Sequence, residues 1–217
     1  MIHVFGDSFS EDYKLTRKDD ISYIWRYVDY LGRDIKLYCD LLSEHLNQPI
    51  TNYSIGGICN EHIFILFMEN FSKIKPNDIV IFGWTEAFRF LTPCEIGPDK
   101  YIWRSNIFPN IFLSKHTIDE MLVMLDHKLY REKQMGIIKF IEEILPNNTT
   151  INWTWCTVPH QFTSTIKKET NGFLDDFHYG EEGHKHLFNK IKKQLEVTNR
   201  VRIDLWGQVD WSKFNNF

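Results

Sequence analysis

Two short motifs near opposite ends of the chain hold the residue types that nucleophilic catalysis needs. Gly6-Asp7-Ser8-Phe9 directly follows a short apolar run, and Asp175-Asp176-Phe177-His178 lies well towards the other end. A hydroxyl is a poor nucleophile until a base takes its proton, and the base must be oriented by a third group. An Asp three residues before a His, in a loop leading into a helix, bonds the imidazole from one side and leaves the other ring nitrogen to face a serine. Taken alone, each motif is ordinary. Gly-Asp-Ser is common turn chemistry, and Ser8 is equally suited to capping a helix. An isolated D-x-x-H is most often an exposed acidic turn.

The elements that would position these residues can be read from hydrophobic periodicity. Ile2-His3-Val4-Phe5 reads as a strand that breaks at Gly6, where glycine lets the backbone turn sharply. Residues 10–32 are polar and aromatic without a clear period and read as a long loop or insertion. Ile35 to Leu46 has helical spacing, with Ile35, Tyr38, Leu42 and Leu46 on one stripe. Pro49 to Tyr53 reads as a second strand ending in the turn Gly56-Gly57. Asn60 to Lys73 reads as a helix with Asn60 as its N-cap, and Asp78 to Phe82 as a buried strand ending at Gly83. Residues 86–116, with Pro93, Gly97, Pro98 and Pro109 among aromatics, read as an irregular, partly helical insertion. Thr117 to Leu145 reads as a long helix, with Gly136 the place for any kink and Pro146 its stop. Thr149 to Val158 is a β-rich run, Gly183 to Leu195 a closing helix, and 196–217 an aromatic tail.

Short apolar strands alternating with helices predict an α/β fold, a parallel sheet covered on both faces. Ligands in such sheets bind beyond the carboxyl ends of the strands. The loops after Phe5, Tyr53, Phe82 and Val158 therefore converge, and Ser8 sits in the first of them.

Bulk composition excludes several classes. The length, 217 residues, suits one sizeable domain over 1–217 and is thin for two. Hydrophobic residues at 43% and aromatics at 15% suffice for a packed core. A formal net charge of −4 carries no basic footprint for nucleic acid. The densest apolar run, Ile63 to Met68, is interrupted by Glu69 and Asn70, too short for a membrane span. Met1 leads straight into the first strand without a signal-peptide pattern, so the cytoplasm is the expected location. Cys39, Cys59, Cys94 and Cys156 are scattered, without C-x-x-C or metal-site spacing, and read as reduced thiols.

Together the two motifs resemble blocks I and V of the SGNH (GDSL-like) hydrolases. Asn52-Tyr53-Ser54-Ile55-Gly56-Gly57 is similar to that family's block II, with Gly57 in the place of the oxyanion-hole glycine. Block III departs. The family usually has Gly-x-Asn-Asp after the third strand, whereas this chain has Gly83-Trp84-Thr85-Glu86. Thr85 stands where the oxyanion Asn is expected, and its hydroxyl offers one shorter-reaching donor. Losing an oxyanion donor costs about 3 kcal/mol of transition-state stabilisation. Either Thr85 serves, another donor such as Asn60 replaces it, or activity is low. A Gly-Trp-Thr block resembles SGNH-like proteins met in bacteriophages, where Asn60 and Arg89 also have counterparts; for a phage-encoded chain, the expected location is the host cytoplasm.

The resemblance runs from residue 2 to about residue 195 and implies a three-layer α/β/α sandwich with a mainly parallel, five-stranded, flavodoxin-like sheet. It implies a serine esterase working through an acyl-enzyme. Ser8 is the nucleophile, His178 the base and then acid, Asp175 the orienting group, and Ser8, Gly57 and Thr85 the oxyanion donors. The implied substrate is a small acyl ester or acylated carbohydrate, O-deacetylation included. No cofactor, metal, nucleic-acid or membrane partner is implied. The alternative is a non-catalytic glycan-binding or virion structural protein that keeps the fold. Asn60, Trp84 and Arg89 are the candidate substrate-binding residues, although Arg89 suits a surface salt bridge equally well. Phe88, Phe90, Tyr101 and Trp103 would stack on a sugar or pack a lid. His184 and His186 read as packed or surface histidines rather than metal ligands, and His160 as a minor candidate for the crevice. The tail at 205–217 is read as packing on the domain or on another subunit.

Overall fold

The computed structural model describes residues 1–12, 14, 25–85, 89–97, 100–107, 127–154, 169–170, 173–174 and 178–204. Five parallel strands form one sheet: β1 (Ile2–Gly6), β2 (Ile50–Asn52), β3 (Ile79–Trp84), β6 (Thr149–Thr154) and β9 (Arg200–Asp204). Their order is β2-β1-β3-β6-β9, the flavodoxin-like arrangement expected from the sequence. Two antiparallel pairs stand apart from it, β4 (Arg89–Gly97) with β5 (Lys100–Ile107), and β7 (Glu169–Thr170) with β8 (Phe173–Leu174). The helices are α1 (Trp25–Leu31), α2 (Tyr38–Leu46), α3 (Asn60–Asn70), α4 (His127–Ile144) and α5 (Glu181–Leu195).

Side chains alternate across the strands, and each face of the sheet has its own core. Ile2, Val4, Ile79, Ile81, Ile151, Trp153, Val201 and Ile203 pack on one side against Tyr27 and Val28 of α1, Tyr38 and Leu42 of α2, and Leu187 and Ile191 of α5. Phe5, Val80, Phe82 and Trp84 pack on the other side against Ile63 and Phe67 of α3 and Ile138 and Ile141 of α4. These are the three layers. Burying one large apolar side chain contributes about 1.5–3 kcal/mol, so these two cores stabilise the sheet from both faces.

Several boundaries differ from the sequence expectation. Residues 25–31, read as loop, form α1, whose Tyr27 and Val28 are core residues. Strand β3 continues through Gly83 and Trp84, because Gly83 pairs with Gly6 and with Trp153 in neighbouring strands. The stretch read as partly helical contains the β4–β5 hairpin instead. The fifth strand of the sheet comes from the tail, where Arg200–Asp204 pairs with β6. Helix α4 passes through Gly136 without interruption. Residues 108–126 and 205–217, which carry parts of the expected long helix and of the tail, lie outside the described residues.

Candidate active site

The chain leaves β1 at Gly6 and folds at once into a tight turn. The N–H groups of Ser10 and Glu11 both donate to the Asp7 carbonyl, at 3.0 and 3.1 Å, and the Phe9 N–H donates to Asp7 Oδ1 at 3.0 Å. Ser8 is held inside this turn, at the carboxyl end of β1, an interior strand of the sheet. Asn52 Nδ2 ties the turn to the end of β2 by donating to the Ser10 carbonyl at 2.7 Å.

Ser10 braces the turn from behind. A Cβ at Gly6 would stand 2.6 Å from Ser10 Oγ, and one at Gly83 would stand 2.5 Å from the same atom, so both strands need glycine there. Ser10 Oγ hydrogen-bonds Tyr38 Oη at 2.9 Å, and Trp153 Nε1–H donates to Tyr38 Oη at 3.1 Å. Burial pushes the Tyr38 phenol well above its ordinary pKa, so it stays protonated.

His178 enters from the segment before α5. Its Nε2 lies 2.7 Å from Ser8 Oγ, although the two residues are 170 positions apart. Both residues are buried. Nδ1 lies 3.0 Å from Tyr27 Oη. Phe9 stacks on the imidazole with ring centres 4.7 Å apart, and Tyr27 meets it edge-on at 5.2 Å. In the tautomer with its hydrogen on Nδ1, the imidazole donates to Tyr27 Oη and leaves Nε2 to accept from Ser8. Sequence reasoning missed Tyr27 because α1 was not recognised. The only sequence signal is Tyr27, Val28 and Leu31 at helical spacing. Asp175, the orienting group expected from the motif, lies outside the described residues, as do Phe88 and His160.

The other side of the crevice is built by β2 and β3. Beyond β2 the chain stays on β1, with the Tyr53 N–H donating to the Val4 carbonyl at 2.8 Å and the Ile55 N–H to the Gly6 carbonyl at 3.1 Å. Gly57 follows with φ +79°, a left-handed conformation that side-chain-bearing residues rarely adopt. Across β1, the Gly6–Gly83 register sets Ser8 and Thr85 each two residues past a paired glycine.

Thr85 is held by Asn60. Asn60 Oδ1 accepts from the Thr85 N–H at 2.7 Å, and its Nδ2 donates to the Thr85 carbonyl at 3.0 Å. Asn60 is the first residue of α3, with Cys59 in the cap position, and so it is not the N-cap. Thr85 Oγ1 is buried and has no hydrogen-bond partner among the described residues. A hydroxyl in that condition costs stability unless something else uses it.

The remaining predicted residues fall elsewhere. Trp84 is fully buried, stacked on Phe82 at 5.0 Å, and its Nε1–H donates to Asn152 Oδ1 at 3.0 Å. The core takes up its ring rather than a ligand. Arg89 opens β4 in the hairpin that also carries Phe90, Tyr101 and Trp103. His184 is packed between Tyr38 and Tyr179, and burial, with His178 nearby, pushes its pKa down to about 3. His186 lies on the exposed side of α5. Among the described residues no group of three or more His, Cys, Asp or Glu is placed to hold a metal ion, and no helix is long and apolar enough to cross a membrane.

The turn at Ser8 and the aromatic rings around His178 bring a serine hydroxyl and an imidazole nitrogen within 2.7 Å at the carboxyl end of a parallel sheet. No protein-family model matches the chain, and a search of curated proteins finds no similar sequence.

Proposed function

We propose that this protein is a serine acyl hydrolase of the SGNH type. The observation that carries the reading is the 2.7 Å hydrogen bond between Ser8 Oγ and His178 Nε2, buried where the parallel strands end. Ser8 Oγ attacks the ester carbonyl carbon as its proton passes to His178 Nε2. The carbon–oxygen bond to the leaving alcohol then breaks, and the alkoxide takes that proton. Water attacks the acyl-enzyme, gives a proton to His178, and releases the acid as Ser8 recovers its hydrogen.

The backbone N–H groups of Ser8 and Gly57 are the proposed oxyanion donors, with the Thr85 hydroxyl as the third. Two observations support Thr85. Its backbone is fixed by Asn60, and its buried hydroxyl has no partner among the described residues. Asn60 therefore acts by positioning Thr85. The family's orienting carboxylate corresponds to Asp175. Small acyl esters and O-acetylated carbohydrates are the proposed substrates, and no cofactor enters the chemistry. The buried free thiol of Cys39 suits a reducing compartment, and the cytoplasm, of a host cell for a phage-encoded chain, is the proposed location.

The test is labelling by a fluorophosphonate probe together with turnover of p-nitrophenyl acetate. Wild type should be labelled and Ser8→Ala should not. No Ser8-dependent labelling and no ester turnover would leave the glycan-binding or virion-structural reading, which the exchange of Asn for Thr85 favours.

A further inference from the structure

We propose that Tyr27 is a positioning residue that holds the catalytic imidazole by Nδ1, an inference that rests on the serine hydrolase reading. Tyr27 is completely buried, and its hydroxyl lies 3.0 Å from His178 Nδ1. An imidazole that receives the Ser8 proton at Nε2 must keep its hydrogen at Nδ1, and it needs an acceptor there to stay in that tautomer. The phenol oxygen is such an acceptor.

The surroundings leave the imidazole little freedom. Phe9, next to the nucleophile, stacks on one face within 22° of parallel, and the Tyr27 ring stands at 63° to it. Tyr27 is itself set by α1, where the adjacent Val28 packs into the core shared by α2, α5 and the sheet. The segment before β2 thus places a hydroxyl on the base that arrives from the other end of the chain. A neutral phenol fixes tautomer and orientation but balances the imidazolium less than a carboxylate does. Tyr27 therefore shares the single Nδ1–H with an acidic group such as Asp175 and does not make it redundant.

The test compares wild type, Tyr27→Phe and Asp175→Asn in three measurements: ester kinetics, the rate of fluorophosphonate labelling at Ser8, and the downfield proton resonance of the His178 Nδ1–H. Tyr27→Phe keeps the ring packing and removes only the hydroxyl. It should lower kcat and the labelling rate by about 10- to 100-fold with KM nearly unchanged. The Nδ1–H resonance should move upfield or be lost. Incorporating 3-fluorotyrosine at position 27 keeps the shape, weakens the oxygen as an acceptor, and should shift the same resonance in the same direction. It serves as the second variant if Tyr27→Phe folds poorly. A labelled wild type whose Tyr27 variants match it in rate and resonance overturns the role of Tyr27. A wild type without Ser8-dependent labelling overturns the hydrolase reading itself.

Discussion

The side-chain amide of Asn60 takes both backbone polar groups of Thr85, accepting from its N–H at 2.7 Å and donating to its carbonyl at 3.0 Å. One amide thereby replaces the ladder partner that Thr85 loses where β3 ends, and it links the start of α3 to the carboxyl end of the sheet. Asn60→Ala leaves both groups buried and unpaired. Stability should fall by about 1–3 kcal/mol, and ester turnover should fall at least about tenfold as Thr85 loses its fixed position. Denaturant unfolding and steady-state kinetics on the same preparation check both.

Thr85→Val separates the hydroxyl from the backbone. Valine keeps the shape and removes a buried oxygen that has no partner among the described residues. The expected result is turnover lowered by about 100-fold with stability unchanged or slightly raised. Unchanged turnover would remove Thr85 from the oxyanion site.

His184 makes the fold sensitive to acid. Burial first, and His178 second, bring its pKa down from 6.5 to about 3. Between those values the unfolded chain binds a proton that the folded chain does not, so stability is present above pH 6.5 and is lost as pH falls. The slope from this group is about 1 kcal/mol per pH unit. His184→Phe retains an aromatic ring beside Tyr38 and Tyr179 and should flatten that slope. Unfolding curves at pH 7 and pH 5 for both proteins measure it.

Asp78 acts at the opposite end of the sheet. Burial pushes its carboxyl up, but the Met1 ammonium, the Lys75 N–H and His3 together hold it below its ordinary value. A depressed carboxylate contributes stability above its unfolded pKa and loses it as pH falls through the folded one. Asp78→Asn should therefore be less stable than wild type at pH 7, and the difference should shrink as pH falls below the ordinary carboxylate range. Ester turnover of the folded protein should be unaffected, because Asp78 precedes β3 and Thr85 follows it.

The sheet was legible because its strands are buried on both faces and read as continuous apolar runs, Ile2 to Phe5 and Ile79 to Phe82 above all. Gly-Asp-Ser after one strand and His178 before the last helix were legible as motifs. Other features were not. β9 reads Arg-Val-Arg-Ile-Asp, an edge strand whose charged positions resemble a solvated tail, and Arg200 spends its guanidinium on carbonyls around Pro146. Glycine is ordinarily a stop signal, so Gly83 concealed the last two residues of β3. Helix α1 has seven residues, so its period is limited to Tyr27, Val28 and Leu31, too short a run to mark a helix by itself. Asn60 suits an N-cap by residue type, and only the fold shows its amide turned towards Thr85.

The Ser10 brace behind Ser8 couples the residues at positions 6, 10 and 83. Ala at position 6 would meet Ser10 Oγ at 2.6 Å and Ser10 Cβ at 2.8 Å, both atoms of one side chain, so Gly6→Ala should be disabling alone and recover much of its loss beside Ser10→Gly. Ala at position 83 would also meet Trp153 Cζ2, at 2.7 Å, and shrinking Ser10 leaves that clash in place. Among diverging descendants of this chain, a change at residue 6 depends on a smaller residue 10 and still meets the Gly83 carbonyl oxygen at 3.3 Å, whereas Gly83 is locked for as long as Trp153 stays.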